Sequence, residues 1–442
     1  MSGRRLAFPL RLGLVVLAHP SEVGWDQAER VLASASLDAC GLQVSLTRAP
    51  CVVSDAGTAA RAAQALRGQD LQALCVIPAT WSADDPLLDL LEALSLPVVV
   101  WGMPGVETGS LCGSHQINCV LREMGRACHL VYGPLGDAGA QGEVARFARA
   151  AALASELRHA KIGLVGYRTP GMFEIAFDEW ALKSVLGPRV VHQSLEEFGE
   201  LMKKADTGAA HRELQTLVSR VGAVEVGEDE LASQARALAA LRLLVGEQDL
   251  CGVAFECYPN WMGRVCVPFS LLAEEGLAAG CEGDVNGTTA LLMLQWLAQA
   301  PGHNTDLLAV NEQENTILLS HCGNSALSLA SAPSEARVAS VRLAGEGACL
   351  LFPAKPGPVT LVNLVGGRNT YRLAALVGEA VPTGMDFPGC PLRVRLPLPV
   401  RDFPGWVGEE ALGHHWMAAY GDFSVELRHF CRLVGVRHVS LS

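Results

Sequence analysis

The chain has 442 residues, half of them apolar, which is enough to bury more than one core and excludes a disordered tail as its main character. Its 34 basic and 46 acidic side chains leave a formal charge of -12, and only five of the cations are Lys. Nucleic acid and an anionic membrane are therefore excluded as natural partners, and the 14 Cys, spread from Cys40 to Cys431, read as reduced thiols of a cytoplasmic protein.

At the start, Arg4, Arg5 and Arg11 precede the apolar run Leu12 to Ala18 in the manner of a leader peptide. The run is too short and no small-residue cleavage site follows, so it reads as a buried first strand. From Leu12 to about Arg158, the runs LGLVVLAHP, LQVSLTRAP, LQALCVIPAT, LPVVVWGMP and CHLVYGPLG alternate with helical stretches such as WDQAERVLASASLDAC. That alternation predicts parallel strands with crossover helices, a first α/β domain over 1–158.

A second α/β domain is expected over 159–308. It opens with KIGLVGYRTPGMF, a strand ending in a Gly/Pro loop, and continues through RVVHQ, two charged amphipathic helices and the strand CGVAFEC. The uncharged stretch between Asp284 and Asp306 is broken by Asn286, Thr288, Gln295, Gln299, Pro301 and His303, which predicts a buried helix and no membrane span. From Val310 the texture changes to short strands, NTILLSH, VRLAG, ACLLFP, PVTLVNL, YRLAALV and PLRVRLPLP, before a closing helix and strand. The expected fold class is α/β: two Rossmann-like open-sheet domains followed by a C-terminal β-rich domain over 309–442, a barrel or a sandwich.

The loop GYRTPG fails as a dinucleotide site, since it lacks the G-x-G-x-x-G spacing, and no P-loop spacing occurs elsewhere. More telling are acids and imidazoles set in apolar context: Glu256 in VAFECYPNWM, Glu282 and Asp284 in AAGCEGDVNG, and His414 and His415 in GHHWM. Buried charges need partners or a metal. Taken singly, Asp284 is equally compatible with a helix cap and His415 with a structural imidazole. Together, two carboxylates from strand ends and one imidazole make a hard O/N site with open positions, which suits Mn²⁺ best, with Mg²⁺, Fe²⁺ or Co²⁺ as alternatives. Cys257, Cys281 and Cys322 lie beside these candidates and read as packing thiols.

The segments AFECYPNWMG, CEGDVNGTTALLML, LLSHCG, PVTLVNL and GHHWMAAYGDFSVEL, in that order, resemble the L-fucose isomerase family, which shares its architecture with L-arabinose isomerases. The chain is a short, divergent version, and the likeness is weak over its first 150 residues. The resemblance implies an aldose–ketose isomerase with a divalent metal, usually Mn²⁺, on Glu256, Asp284 and His415. It also implies a homo-oligomer, a trimer or hexamer, with the active site near a subunit interface. His321 matches an additional His of the arabinose-type enzymes, as a ligand or as a pocket residue.

Isomerisation moves a proton between adjacent carbons, and the resemblance assigns that transfer to Glu256 and Asp284 through an enediol. The substrate-binding candidates are His321, Trp261, Asn260, Asn286 and Arg168, with Trp101, His115 and Gln116 in the first domain acting in trans. No basic cluster awaits a phosphate, so a neutral monosaccharide is expected, while Arg168 and Arg264 keep an anionic sugar open. The alternatives are a non-catalytic sugar-binding or regulatory protein and a metal-dependent sugar epimerase or lyase.

Overall fold

The structure is a computed structural model and describes residues 10–367 and 370–441. The chain forms two units: 10–156 with Arg428–Leu433, and Leu157–Leu427 with 434–441.

In the first unit, the strands are β1 (Leu10–Leu17), β2 (Val44–Arg48), β3 (Ala73–Pro78), β4 (Val98–Gly102) and β5 (Cys128–Tyr132). All pair in parallel, in the order β2-β1-β3-β4-β5. Helices cover both faces, and one apolar cluster lies on each side of the sheet. That double cover is why these strands read as nearly continuous runs of Val, Leu and Ile instead of alternating patterns. The segment Arg428–Leu433 belongs to this unit, and its His429 ring packs against His129 with centroids 4.4 Å apart.

The second unit begins with another parallel sheet. Its strands are β6 (Lys161–Val165), β7 (Arg189–Gln193), β9 (Gly252–Phe255) and β10 (Ala278–Gly280), in the order β10-β9-β6-β7; the short β8 (Ala223–Val224) lies outside it. The winding reverses between β6 and β9, so the loops after these two strands flank the crevice where open α/β sheets hold ligands.

The antiparallel part follows as β11 (His303–Asn311), β12 (Thr316–Ser320), β13 (Arg337–Ala339), β14 (Cys349–Leu351), β15 (Gly357–Gly367), β16 (Thr370–Val381), β17 (Leu392–Arg395), β18 (His415–Tyr420) and β19 (Arg437–Val439). Strands β15-β18-β11-β12-β17-β16 form a ring closed by β15–β16 pairing, a barrel, with β19 added in parallel to β16. Closure removes the exposed edges that an open sheet would leave. Strand β13 pairs with β14 on one side and with β8 on the other, a small separate sheet.

The expected boundary at 158/159 lies beside the division between Glu156 and Leu157, whereas 308/309 falls inside β11, within one unit. The β-rich part thus starts at His303, and VRLAG is turn, not strand. The uncharged stretch forms the helix Val285–Ala298, buried along almost its whole length. Its Thr288 and Thr289 hydroxyls donate to Asp284 O (2.6 Å) and Val285 O (2.8 Å), which satisfies polar groups that burial would otherwise strand. Among the described residues no helix is long and apolar enough to cross a membrane.

Candidate active site

The loop Cys281–Asp284 joins β10 to the helix Val285–Ala298 and carries two acids in opposite roles. Asp284 is the N-cap: Oδ1 accepts from Gly287 N at 2.8 Å, satisfying one of the free amides of the first turn. Its other oxygen, Oδ2, faces His415 Nδ1 at 2.8 Å. Glu282 adopts a left-handed backbone, φ 62°, and its Oε2 lies 3.0 Å from His415 Nε2. Gly283 follows at φ 69°, and a Cβ there would sit 2.3 Å from Tyr167 O, so only glycine lets this loop lie against the loop after β6. Thr169 N donating to Glu282 O (2.9 Å) and Gly283 N donating to Phe255 O (2.9 Å) fix the loop to both sides of the crevice.

His415 opens β18 opposite Asp306 of β11. Asn363 of β15 holds the backbone there, its amide donating to His415 O (2.7 Å) and Gly413 O (3.1 Å). The buried imidazole is thus clamped between Asp284 and Glu282, with Asp306 Oδ1 3.5 Å from Nε2. Burial alone would lower its pKa, but the hydrogen bonds to Asp284 and Glu282, with the charges of Asp284 and Asp306, push it up to about 10. For Glu282, burial acts upward, yet the His415 hydrogen bond and the charges on His321, His415 and His414 hold its pKa below the usual range.

His321 follows β12, is buried, and stands 3.8 Å from Asp306 Oδ1. Among the described residues, neither of its ring nitrogens nor Asp306 Oδ1 has a hydrogen-bond partner. Burial disfavours the His321 cation, but Asp306, Cys322 and Glu282 raise its pKa well above normal.

Two groups have the spacing to hold a cation: Glu282, His321 and His415, all buried, and Asp306, His414 and His415. They share His415. Unpartnered buried nitrogens and an unpartnered carboxylate oxygen facing one another are costly in isolation and are what a bound cation would satisfy. The O/N donor set fits a hard or borderline divalent ion. His414 is also paired through Nδ1 with Glu174.

Of the residues singled out from the sequence, Asp284, His415 and His321 come together here. Glu256 stands outside both cation-spaced groups: it lies just past the end of β9, and its Oε2 accepts from Tyr167 N at 2.6 Å. A Cβ on Gly166 would reach that oxygen at 2.5 Å, so the glycine opens the place the carboxylate fills. Asn286 is buried beside the cap, its amide 3.5 Å from Ala176 O and its Oδ1 unpartnered. Arg168 lies on the loop pressed against Gly283, with its guanidinium 4.8 Å from the Phe173 ring. Trp261 packs on Phe198 and Phe255, a core position, and Asn260 is exposed. Arg264 is 3.9 Å from Glu346 at the surface. In the first unit, Trp101 is buried and donates to Gly133 O (3.0 Å), Gln116 links Trp81 to Asp84, and His115 is exposed on the helix Ser110–Glu123. Cys257 packs in the core, and its Sγ accepts from Glu282 N at 3.3 Å.

Two members of the cluster, Glu282 and Asp306, received no role from the sequence. A left-handed turn inside CEGD and the pairing of β11 with β18 bring them in. For Glu282 the signal was present, since an acid two residues before a capping Asp in a Gly-rich turn borders the same helix end.

Beside the cluster opens a cavity of about 630 Å³, lined by Phe173, Glu174, Arg372, Leu412 and His414 among others. A narrower recess lined by Asp284, Asn363 and His415 shares Glu174, Val365 and Gly413 with it. Another cavity, of about 490 Å³ on the β11–β12 hairpin, contains none of the clustered acids or imidazoles.

Known proteins with similar sequences carry one activity. A sulfoquinovose isomerase of Alkalicoccus urumqiensis is 26% identical over 363 residues, covering 79% of this chain and 82% of its own. Those of Priestia megaterium and Clostridium sp. (strain MSTE9) are 25% and 27% identical, covering 84% and 75% of this chain and 86% and 78% of their own. The chain is an aldose–ketose isomerase. These relatives support a sugar isomerase of the L-fucose/L-arabinose isomerase type, and not L-fucose isomerase specifically. No family model matches the chain. A solute-binding protein of Agrobacterium vitis with bound D-fucose aligns with 55% of this chain and 76% of its own at 10% identity, but its TM-score of 0.16 carries no argument.

Proposed function

We propose that this isomerase acts on a sulfonated hexose of the kind its relatives are named for, with a divalent metal held by Glu282, Asp306, His321 and His415. The cation-spaced groups that share His415, together with the unpartnered His321 nitrogens and Asp306 Oδ1 beside them, carry this reading. A divalent cation held there, Mn²⁺ before Mg²⁺, Fe²⁺ or Co²⁺, would supply a Lewis acid that lowers the cost of negative charge developing on substrate oxygen.

The chain's own residues do the rest. Asp284 positions His415: by accepting from Nδ1 it fixes the tautomer that leaves Nε2 as the donor atom. That role replaces the expected one as ligand and base, because both carboxylate oxygens are already engaged. Glu256 moves the proton between C2 and C1. Its Oε2 is anchored on Tyr167 N, and Oε1 accepts no hydrogen bond among the described residues. A carboxylate held by one oxygen is oriented yet basic at the other, and positioned proton transfer contributes about 10²- to 10⁴-fold.

The reading includes a homo-oligomer, supported by Tyr167, Phe173 and Trp180, which stay 61%, 78% and 87% exposed near the crevice loops and present apolar area of the sort a second subunit covers. It also includes the cytoplasm, in keeping with 14 free thiols, and the expected three-part organisation: first α/β domain, second α/β domain, barrel. The test is sulfoquinovose turnover in D₂O with Mn²⁺ titration followed by EPR. Deuterium at C1 of the ketose, lost turnover with retained Mn²⁺ binding in Glu256→Gln, and lost binding in Glu282→Gln are expected. Unlabelled product would replace the enediol with hydride transfer and remove Glu256 from its role.

A further inference from the structure

We infer that Arg372 builds an anion subsite that reads the sulfonate on C6 of the substrate, an inference that rests on the sulfonated-sugar reading above. Arg372 lies on β16 opposite Val365 of β15. It lines the same cavity as His414, whose ring lies 4.1 Å from that of His415. β18 pairs with β15 and β15 with β16, so two strand spacings, about 10 Å, separate the metal-binding His415 strand from the Arg372 strand. This matches the span of a hexose carrying its reacting carbons at one end and C6 at the other.

The state of the guanidinium points to an anion. Among the described residues no carboxylate pairs with Arg372. One of its nitrogens, Nη2, donates to Ala411 O, which fixes the plane, and the buried Nε has no partner among the described residues. A half-buried cation with no carboxylate beside it is costly unless a ligand supplies the opposite charge. Arginine's fixed fork of donors matches two oxygens of a tetrahedral oxyanion.

The one carboxylate lining the cavity, Glu174, is hydrogen-bonded to His414 Nδ1 and does not pair with Arg372. Phe173, Val365 and Leu412 give apolar walls for the C–H faces of the ring. The cavity, at about 630 Å³, lies within the usual range of small-molecule sites, roughly 300–1,000 Å³. Arg168, which with Arg264 kept an anionic sugar open in the sequence, instead faces Tyr167 and Phe173 and donates to Thr169 O at 3.3 Å.

The experiment compares sulfoquinovose with its neutral counterpart 6-deoxy-D-glucose, using the Mn²⁺-loaded full chain as wild type, Arg372→Gln and Arg372→Lys. For Arg372→Gln, KM for sulfoquinovose should rise about 10- to 100-fold, the loss expected for a charge-assisted pair. Its kcat/KM for 6-deoxy-D-glucose should stay within about twofold of wild type, and Arg372→Lys should recover part of the sulfoquinovose KM. Mn²⁺ binding by EPR and the thermal midpoint, unchanged in Arg372→Gln, report that the fold persists. An equal loss on both sugars, or no change on either, overturns the subsite and leaves the substrate reading standing. Wild-type turnover of the neutral sugar alone overturns the sulfonated-sugar reading and the subsite with it.

Discussion

Replacing Asp284 by Asn separates two tasks that one side chain performs. Asn keeps an oxygen for Gly287 N, so the cap on the helix Val285–Ala298 survives nearly intact, Asn and Asp being about equal at this position. The other oxygen, which faces His415 Nδ1 at 2.8 Å, becomes an amide NH₂. A donor there faces the Nδ1–H of a ring held protonated, so Nδ1 must give up its proton to accept, which leaves the remaining one on Nε2, the nitrogen turned to Glu282 and Asp306. The stability cost is that of one charge-assisted hydrogen bond in a buried place, about 1.5–3 kcal/mol. Asp284→Ala loses the cap as well, about 1 kcal/mol more. Function should suffer out of proportion: Mn²⁺ affinity and kcat should fall roughly 10- to 100-fold in Asp284→Asn, the usual effect of removing a residue that orients a ligand. Urea unfolding in the presence of chelator measures the first quantity, and EPR titration with Mn²⁺ the second. Mn²⁺ affinity in Asp284→Asn within twofold of wild type would refute the tautomer argument. An alanine variant no less stable than the asparagine variant would refute the cap.

Gly283→Ala should be among the most damaging small substitutions, since the new Cβ would meet Tyr167 O at 2.3 Å and the Arg168 Cα at 2.8 Å, both backbone atoms, at φ 69°. A loss of about 2–4 kcal/mol is expected from the urea midpoint; Gly142→Ala, in a helix with open space around it, should instead be neutral or gain up to about 1 kcal/mol. His303 gives a pH signature. Burial, with a smaller push from Lys355, holds its pKa down to about 3, so the folded ring is neutral while the unfolded one titrates near 6.5. The stability it contributes is complete above pH 6.5 and drains away as pH falls towards 3, because the unfolded state takes up the proton first. His303→Gln should therefore flatten the dependence of urea unfolding between pH 7 and 5; an equally steep profile in the variant would assign the dependence to other groups.

How far the sequence could be read follows the range of the interactions. The strands β1 to β5 were visible because a doubly covered parallel strand needs an unbroken apolar run, a local property. Asp284 was visible as a cap, and His415 as an imidazole in apolar surroundings, for the same reason. Asp306 was not, because in NTDLLAV it looks like a polar residue at a strand start; only the antiparallel pairing of β11 with β18 sets it opposite His415. Glu256 was read as a ligand from its place at a strand end, but its direction depends on the Tyr167 amide of another loop. The termination of β9 at Phe255 also leaves the direction of Glu256 free of the strand's alternation. The single unit formed by the second α/β part and the barrel was hidden for a similar reason. Composition changes near Val310, yet the helix Val285–Ala298 packs on β9 and β10 and also on β15 and β18.

That helix is the party wall between a parallel sheet and a barrel, and its first turn is where the acids meet the imidazoles. Loosening it would shift Glu282 and Asp284 relative to His415 at the same moment as it opens both cores. Heat inactivation and loss of structure should consequently coincide in this unit. Selection for a new sugar has little room to act on the wall itself and more on the rim of the cavity, at residues such as Phe173 and Arg372.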